Sequence, residues 1–290
     1  IMRIRTFSRV WIIGCILIAG GCESAAKEFA LGGHRYSIDA FEQWKLPKSL
    51  REISGLALTP DGRVFAHGDE RGLIHQLDYH GGRLVASFAL TKANGKPLKR
   101  DFEGMTALGD DLYLVASDGT LYRFQPGHDG DAVAFQVIPT QGGDVCEVEG
   151  LTHHPKEHAL LLACKQLYGP NAGPDLHILY FSLDTARLEP GRTIVVSAQE
   201  IARKSGMDGV LNPSGIAVSP RAGSLLLVAA RQRMALEVTT HGKLVDVFRW
   251  PMERYHRQTE GIVQLMDGTL IVGDEGKNKR GRLGVYRATN

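Results

Sequence analysis

The sequence predicts an all-β chain that repeats one four-stranded unit, and three observations carry that prediction. The fragments Ile53-Ser54-Gly55-Leu56, Phe102-Glu103-Gly104-Met105, Val148-Glu149-Gly150-Leu151, Pro213-Ser214-Gly215-Ile216 and Thr259-Glu260-Gly261-Ile262 share the form x-[ES]-G-apolar, with their glycines 49, 46, 65 and 46 residues apart. Each fragment runs into a short apolar segment, a turn and a second segment rich in Leu and Val. Leu56 to Leu58, the turn Thr59-Pro60-Asp61-Gly62 and Arg63 to Ala66 make one such pair; Ile262 to Leu265, Met266-Asp267-Gly268 and Thr269 to Val272 make another. Asp-Gly between apolar runs is a hairpin signal. Third and fourth strands follow in most copies, as in Leu73 to Asp78 and Arg83 to Phe88, or Thr120 to Phe124 and Ala134 to Ile138. Four strands in a unit of about 45 residues is the proportion of a β-propeller blade, whose sheets stack radially round a channel. Five blades are predicted, with six as the alternative count.

Taken in order, the chain begins with Arg3, Arg5 and Arg9, then the apolar run Val10 to Ala19, then Gly20, Gly21 and Cys22. A basic start, a short apolar stretch and small residues describe an export signal over 1–21. The run is too short to span a bilayer, which takes about 20 apolar residues. Ala19-Gly20-Gly21-Cys22 resembles a bacterial lipobox, in which the cysteine is lipidated and becomes the new amino terminus; an ordinary secretory signal is the alternative. Glu23 in place of Asp favours the outer membrane. The expected location is therefore the periplasmic face of that membrane, with a lipid anchor on Cys22.

Residues 22–33 read as a tether and 34–290 as the propeller. The segment His34 to Leu46 belongs to no copy, while the fifth copy ends after its third strand, Arg282 to Arg287. That segment is expected to supply the missing outer strand and fasten the two ends of the chain. The 65-residue interval marks an insertion in blade three, with a loop at Gly169 to Pro174 and a short helix at Ser197 to Lys204. In an oxidising compartment Cys146 and Cys164, at neighbouring predicted strands, are candidates for a disulfide, two buried thiols being the alternative.

The 290 residues are 43% hydrophobic and 23% charged, a globular balance, and the formal net charge of +2 is carried by the three amino-terminal arginines. Without a basic stripe, a general nucleic-acid binder is excluded. Gly-x-Ser-x-Gly, a phosphate-binding Gly-rich loop and His-Glu-x-x-His do not occur. His153, His154 and His158 surround the turn Pro155-Lys156-Glu157, as transition-metal ligands or as surface histidines. Lys92 to Arg100 and Lys277-Asn278-Lys279-Arg280 are basic stretches, read as solvated loops.

In a propeller the innermost strand of each blade lines the channel, so Ser54, Glu103, Glu149, Ser214 and Glu260 are expected to form a ring. Three converging carboxylates repel one another, and burial raises their pKa values unless positive charge neutralises them. Calcium is the first candidate, because it accepts about six to eight oxygen ligands in flexible geometry. Lys165 or Arg231, at the ends of second strands, are rival counter-charges, and capping of backbone N–H groups is the third reading. Asp69, Glu70, Asp118, Lys165, Arg231, Asp274 and Glu275, also at second-strand ends, form a candidate ligand-binding mouth. A solvated loop surface is the alternative there.

The series of fragments, in this order and spacing, resembles the SdiA-regulated family of bacterial propellers over residues 48–288. Its most specific pieces are Asp101-Phe102-Glu103-Gly104-Met105, Glu149-Gly150-Leu151, Pro213-Ser214-Gly215-Ile216-Ala217 and Gln258-Thr259-Glu260-Gly261-Ile262. The resemblance implies a five-bladed relative of NHL-repeat propellers, with calcium bound by a member and no general enzymatic activity. A more distant similarity is to the esterase-like phytase propellers. Ala163-Cys164-Lys165-Gln166 and Ala229-Ala230-Arg231-Gln232 depart from related sequences, which often place an acidic residue there.

These readings lead to an envelope lipoprotein whose calcium-binding propeller takes a small ligand or an envelope protein. A calcium-dependent hydrolase of esters or phosphoesters, with Asp69, Glu70 or Asp274 as base, is the alternative. A scaffold contacting its partner through residues 166–212 is a third.

Overall fold

The computed structural model describes residues 28–169, 172–207, 209–250 and 255–289. Five sheets follow the five sequence copies. Blade one runs, inner to outer, Ile53–Leu58, Val64–Gly68, Leu73–Asp78 and Arg83–Leu90; blade two runs Phe102–Leu108, Asp111–Ala116, Thr120–Phe124 and Gln136–Pro139. Blade three has Cys146–His153, Ala159–Leu167 and Leu176–Ser182, with both Arg187–Leu188 and Ile194–Val196 pairing on the last. Blade four is Gly215–Val218, Leu225–Ala229, Met234–Val238 and Leu244–Arg249. Each inner strand packs beside the next, and Thr259–Gln264 of blade five returns to Ile53–Leu58, closing a ring of five rather than six.

Closure uses both ends of the chain. Blade five is Thr259–Gln264, Leu270–Asp274 and Arg282–Thr289, and the amino-terminal strand His34–Lys45 pairs antiparallel with the last of these, Phe41 opposite Tyr286 and Lys45 opposite Arg282. One difference from the sequence reading lies next to it. Glu28–Leu31, within the expected tether, is a further strand paired with the start of His34–Lys45. Phe29 and Leu31 carry it inward: the Phe29 ring lies 5.0 Å from Tyr36 and 4.8 Å from Phe248, and Leu31 is buried. Gly32 and Gly33 make the connecting turn at φ 60° and 75°, the left-handed region that glycine enters without steric cost. The Gly32 N–H donates to Glu237 Oε2 at 2.7 Å and Ser219 Oγ donates to the Gly32 carbonyl at 3.0 Å, tying the hairpin to blade four. The signal segment and Cys22 lie outside the described residues.

Apolar side chains fill the interfaces between blades. Phe65 and Phe88 of blade one meet Phe102 and Phe124 of blade two, for example, all of them buried. Each such side chain contributes roughly 1.5–3 kcal/mol. The fourth strand of blade two sits slightly later than its sequence predicts, because Ala132–Val133 crosses to pair parallel with Ala89 and Leu90 of blade one. Asp129 holds that crossing, accepting the Ser87 N–H at 2.9 Å.

In the insertion, the helix Ala198–Ser205 starts at Ser197, whose hydroxyl accepts the Glu200 N–H, and stops at Gly206 with φ 66°. Cys146 and Cys164 are disulfide-bonded across the inner strand pair of blade three, their Cα atoms 5.6 Å apart. Among the described residues no helix is long and apolar enough to cross a membrane.

Candidate functional site

The repeat signature has a backbone cause. Pairing slips in register between Ile53 and Gly55, Phe102 and Gly104, Val148 and Gly150, and Thr259 and Gly261. Ser54, Glu103, Glu149 and Glu260 are therefore the extra residues of four β-bulges, and a bulge re-aims its side chain out of the ladder. The glycine that follows is demanded by the neighbouring inner strand. A Cβ on Gly104 would lie 2.5 Å from the Leu151 nitrogen, and one on Gly215 2.3 Å from the Glu260 carbonyl oxygen. The motif is thus a bulge followed by a close approach of backbones, and it aims carboxylates at the channel where the inner strands begin.

Glu103 and Glu260 both line the waist of the channel, a constriction of about 10 Å3. Burial, then the charge of Glu149 and of Asp101, pushes the Glu103 carboxyl up to about 8. Burial, then Glu149, Glu275 and Glu103, pushes Glu260 up to about 9. Glu149 is raised by burial and pulled back by Lys165. The Lys165 ammonium donates to Glu147 Oε1 at 2.9 Å and to Glu149 Oε1. Burial of Lys165 works against its charge, but the bonds from Glu149 and Glu147 outweigh it and hold its pKa above the usual lysine value. So the mouth supplies one internal cation for Glu149 and leaves Glu103 and Glu260 protonated near neutrality.

That arrangement does not fit the calcium expectation. An ammonium sits on Glu149, where an ion would take its oxygen. Ser214, expected as a ligand, donates to the Thr259 carbonyl at 2.7 Å and accepts the Ala230 N–H at 3.0 Å. Ser54 is buried in blade one. Among the described residues no group of three His, Cys, Asp or Glu side chains could hold a metal ion. The three turn histidines likewise diverge: His158 bonds Asp184 at 2.6 Å, His153 faces Thr106, and the His154 ring accepts the Lys156 N–H.

The second predicted ring divides. Lys165 joins the carboxylates, while Arg231 stands exposed on a cavity of about 410 Å3 beside them, which Arg257 and Lys277 also line. Asp69 and Glu70 lie on a separate cavity of about 590 Å3 between blades one and five. Asp69 is raised by burial and by Glu52, and Glu275 by burial, Glu52 and Asp69. Asp118 caps its own turn, accepting the Thr120 N–H at 2.9 Å. Asp274 is not at the mouth at all. It is buried in blade five, where Oδ2 meets His256 Nδ1 at 2.9 Å and Oδ1 accepts the Thr259 hydroxyl at 2.7 Å; His256 Nε2 in turn meets the Tyr286 hydroxyl at 2.6 Å. A buried carboxylate needs such partners, and His256 had no sequence signal beyond being one histidine among 11.

Both signs of charge meet at the mouth. Glu52, Asp69 and Glu70 share the cavity between blades one and five with Arg51, Arg71 and Arg280, Arg51 pairing with Glu52 at 2.7 Å; the carboxyl ring lies at the centre, and Lys165, Arg231 and Arg257 line the cavity beside it. A cavity of about 900 Å3 opens on the opposite face, away from these charges.

No family model and no curated protein matches this chain. In structure it is similar to the glutaminyl cyclase of Myxococcus xanthus, at 15% identity and a TM-score of 0.58 over 86% of this chain and 96% of that one. It is also similar to a luciferin-regenerating enzyme, at 8% identity and a TM-score of 0.51 over 85% of this chain and 95% of that one. At such identities the likeness shows a shared fold: this chain is a five-bladed β-propeller whose structural neighbours include enzymes.

Proposed function

We propose that the protein is a binding module whose carboxylate-lined mouth takes a small polar ligand with a positive and a negative group. One observation carries this reading: separate blades bring three carboxyls together at one mouth, and Arg231 and Arg257 line the cavity directly beside them. The positive group of the ligand meets Glu260 and Glu103, displacing their protons, and the negative group meets Arg231 and Arg257. Convergent polar groups in a concave site are what such recognition uses. Calcium is the inorganic competitor for the same carboxylates, and it would have to expel Lys165. Lipidation of Cys22 and residence at the periplasmic face of the outer membrane belong to this proposal, as does the family resemblance.

Binding measured by calorimetry with dipeptides, betaine and Ca²⁺ tests it. Uptake is expected to release protons near pH 7 and to be lost in Glu260→Gln. Absence of dipeptide and betaine binding, with or without Ca²⁺ uptake, would remove the reading.

A hydrolase is the second reading, favoured by one fact: carboxyls near pKa 8 and 9 can give and take protons at neutral pH. Turnover of p-nitrophenyl acetate or phosphate that disappears in Glu260→Gln would support it over a binding module. Labelling with palmitate, abolished by Cys22→Ala, checks the anchor.

A further inference from the structure

The face opposite the carboxylates holds a cavity of about 900 Å3, formed where the inner strands run out into the first hairpin turn of each blade. Its floor is apolar, with Leu56, Met105, Leu151 and Ile216 contributed by four different blades, all of them buried. Below that floor the channel narrows to about 10 Å3, so the funnel is separated from the carboxylate mouth. The residue after each floor position is small or short, as in Ala57, Thr106, Thr152 and Ala217, which sets the walls back and leaves the space open.

A few polar groups interrupt this surface. Gln264 is buried, and its amide donates to the Leu31 carbonyl and to the Tyr36 hydroxyl, leaving Oε1 as an acceptor with no partner. His153 faces Thr106 across the blade two and three boundary at 3.4 Å.

The rim carries charges of both signs. Asp61 is paired with Arg63 at 2.8 Å and bonded to Thr59, whereas Asp267 is exposed and its Oδ1 accepts the Thr269 N–H at 2.8 Å, a bond that leaves its charge in place. Lys156 and Arg221 are exposed on the adjacent turns of blades three and four, and among the described residues neither has a carboxylate within ion-pair distance. A ligand entering here meets an apolar floor of drug-molecule size and a rim with two exposed cations, Lys156 and Arg221, on neighbouring turns and one exposed carboxylate, Asp267, on the turn of blade five.

We infer that this funnel is a second binding site, for a small amphipathic anion: an apolar body seated on Met105, Leu151 and Ile216, with one carboxylate or sulfonate head at Lys156 and Arg221. Nothing in this site depends on the carboxylate mouth, so the two stand or fall separately.

The test is a fluorescence titration of the whole protein with 1-anilinonaphthalene-8-sulfonate, competed by dodecanoate and by dodecanol. One saturable site per chain is expected, displaced by dodecanoate at least about tenfold better than by the uncharged alcohol. The exposed pair Lys156→Glu with Arg221→Glu should weaken dodecanoate by about tenfold or more. Val218→Trp should close the funnel to both competitors while leaving the carboxylate mouth intact. Unfolding curves of each variant show whether the fold is intact; if Val218→Trp fails to fold, the charge reversals decide alone. Unsaturable dye binding, or dodecanoate affinity indifferent to the charge reversals, would overturn the inference.

Discussion

A single glycine shows how little slack the inner ring has. Gly215 faces the Glu260 carbonyl oxygen so closely that a Cβ would sit 2.3 Å from it. Backbone cannot step aside as a long side chain can, so Gly215→Ala should cost about 1–3 kcal/mol through overpacking. A lower urea midpoint with an unchanged slope is the expected result, and an unaltered midpoint would mean that the strands do not approach in this way. The carboxylates next to these glycines owe their high pKa values to the same crowding. Their side chains are aimed inward by the bulges, and water is excluded by the neighbours that the glycines admit. The pattern x-[ES]-G was legible as a repeat, but its meaning as a bulge was not, because register slips are set by pairing across strands and leave only an isolated glycine in the sequence.

Among the elements, blade five depends most on polar satisfaction. Asp274 and His256 are buried together beneath the aromatic ring of Tyr286, with the Thr259 hydroxyl on the second carboxylate oxygen. Asp274→Asn leaves one of these donors without its charged acceptor and should destabilise the chain by about 2–4 kcal/mol. A change within about 0.5 kcal/mol, the usual surface value, would place Asp274 at the solvent-facing mouth that its sequence position suggests. The sequence put it there because Asp-Glu-Gly at a strand end reads as turn chemistry. Alternation along Leu270–Asp274, however, turns that carboxylate into the blade. The strand Glu28–Leu31 was missed for a related reason: four residues, Glu-Phe-Ala-Leu, are too few to show a period. Leu31→Ala tests its place, since a buried leucine should cost about 2–5 kcal/mol and a tether residue almost nothing.

For the whole molecule the fold was almost fully legible, because the five copies had to share a shape to close one ring. The chemistry of the mouth was only partly so. The three glutamates were identifiable by position, while the choice among calcium, an internal cation and capping depended on whether Lys165 could reach, which is a matter of strand ends. Buried titratable groups also make stability depend on pH in two opposed ways. Glu103 and Glu260 are raised to about 8 and about 9 from 4.5, so their contribution is full below pH 4.5 and is lost as pH rises through those values. His67 and His75, neutral and buried, are lowered by burial to about 4 from 6.5, so their contribution is full above pH 6.5 and is lost as pH falls towards 4. Urea midpoints should be highest and nearly level between pH 4.5 and 6.5, where the two trends cancel, and should fall on either side. The double change Glu103→Gln with Glu260→Gln should flatten the alkaline fall and leave the acid one in place.

The central claim is that bulged residues from separate blades meet inside one channel, where burial first and neighbouring carboxylates second keep Glu103 and Glu260 protonated. Carbon-13 NMR of carboxyl-labelled glutamate, titrated with and without Glu103→Gln and Glu260→Gln, measures this directly. Two resonances titrating near pH 8 and pH 9, each removed by one of the substitutions, are the predicted result. All glutamates titrating near the ordinary 4.5 would contradict it.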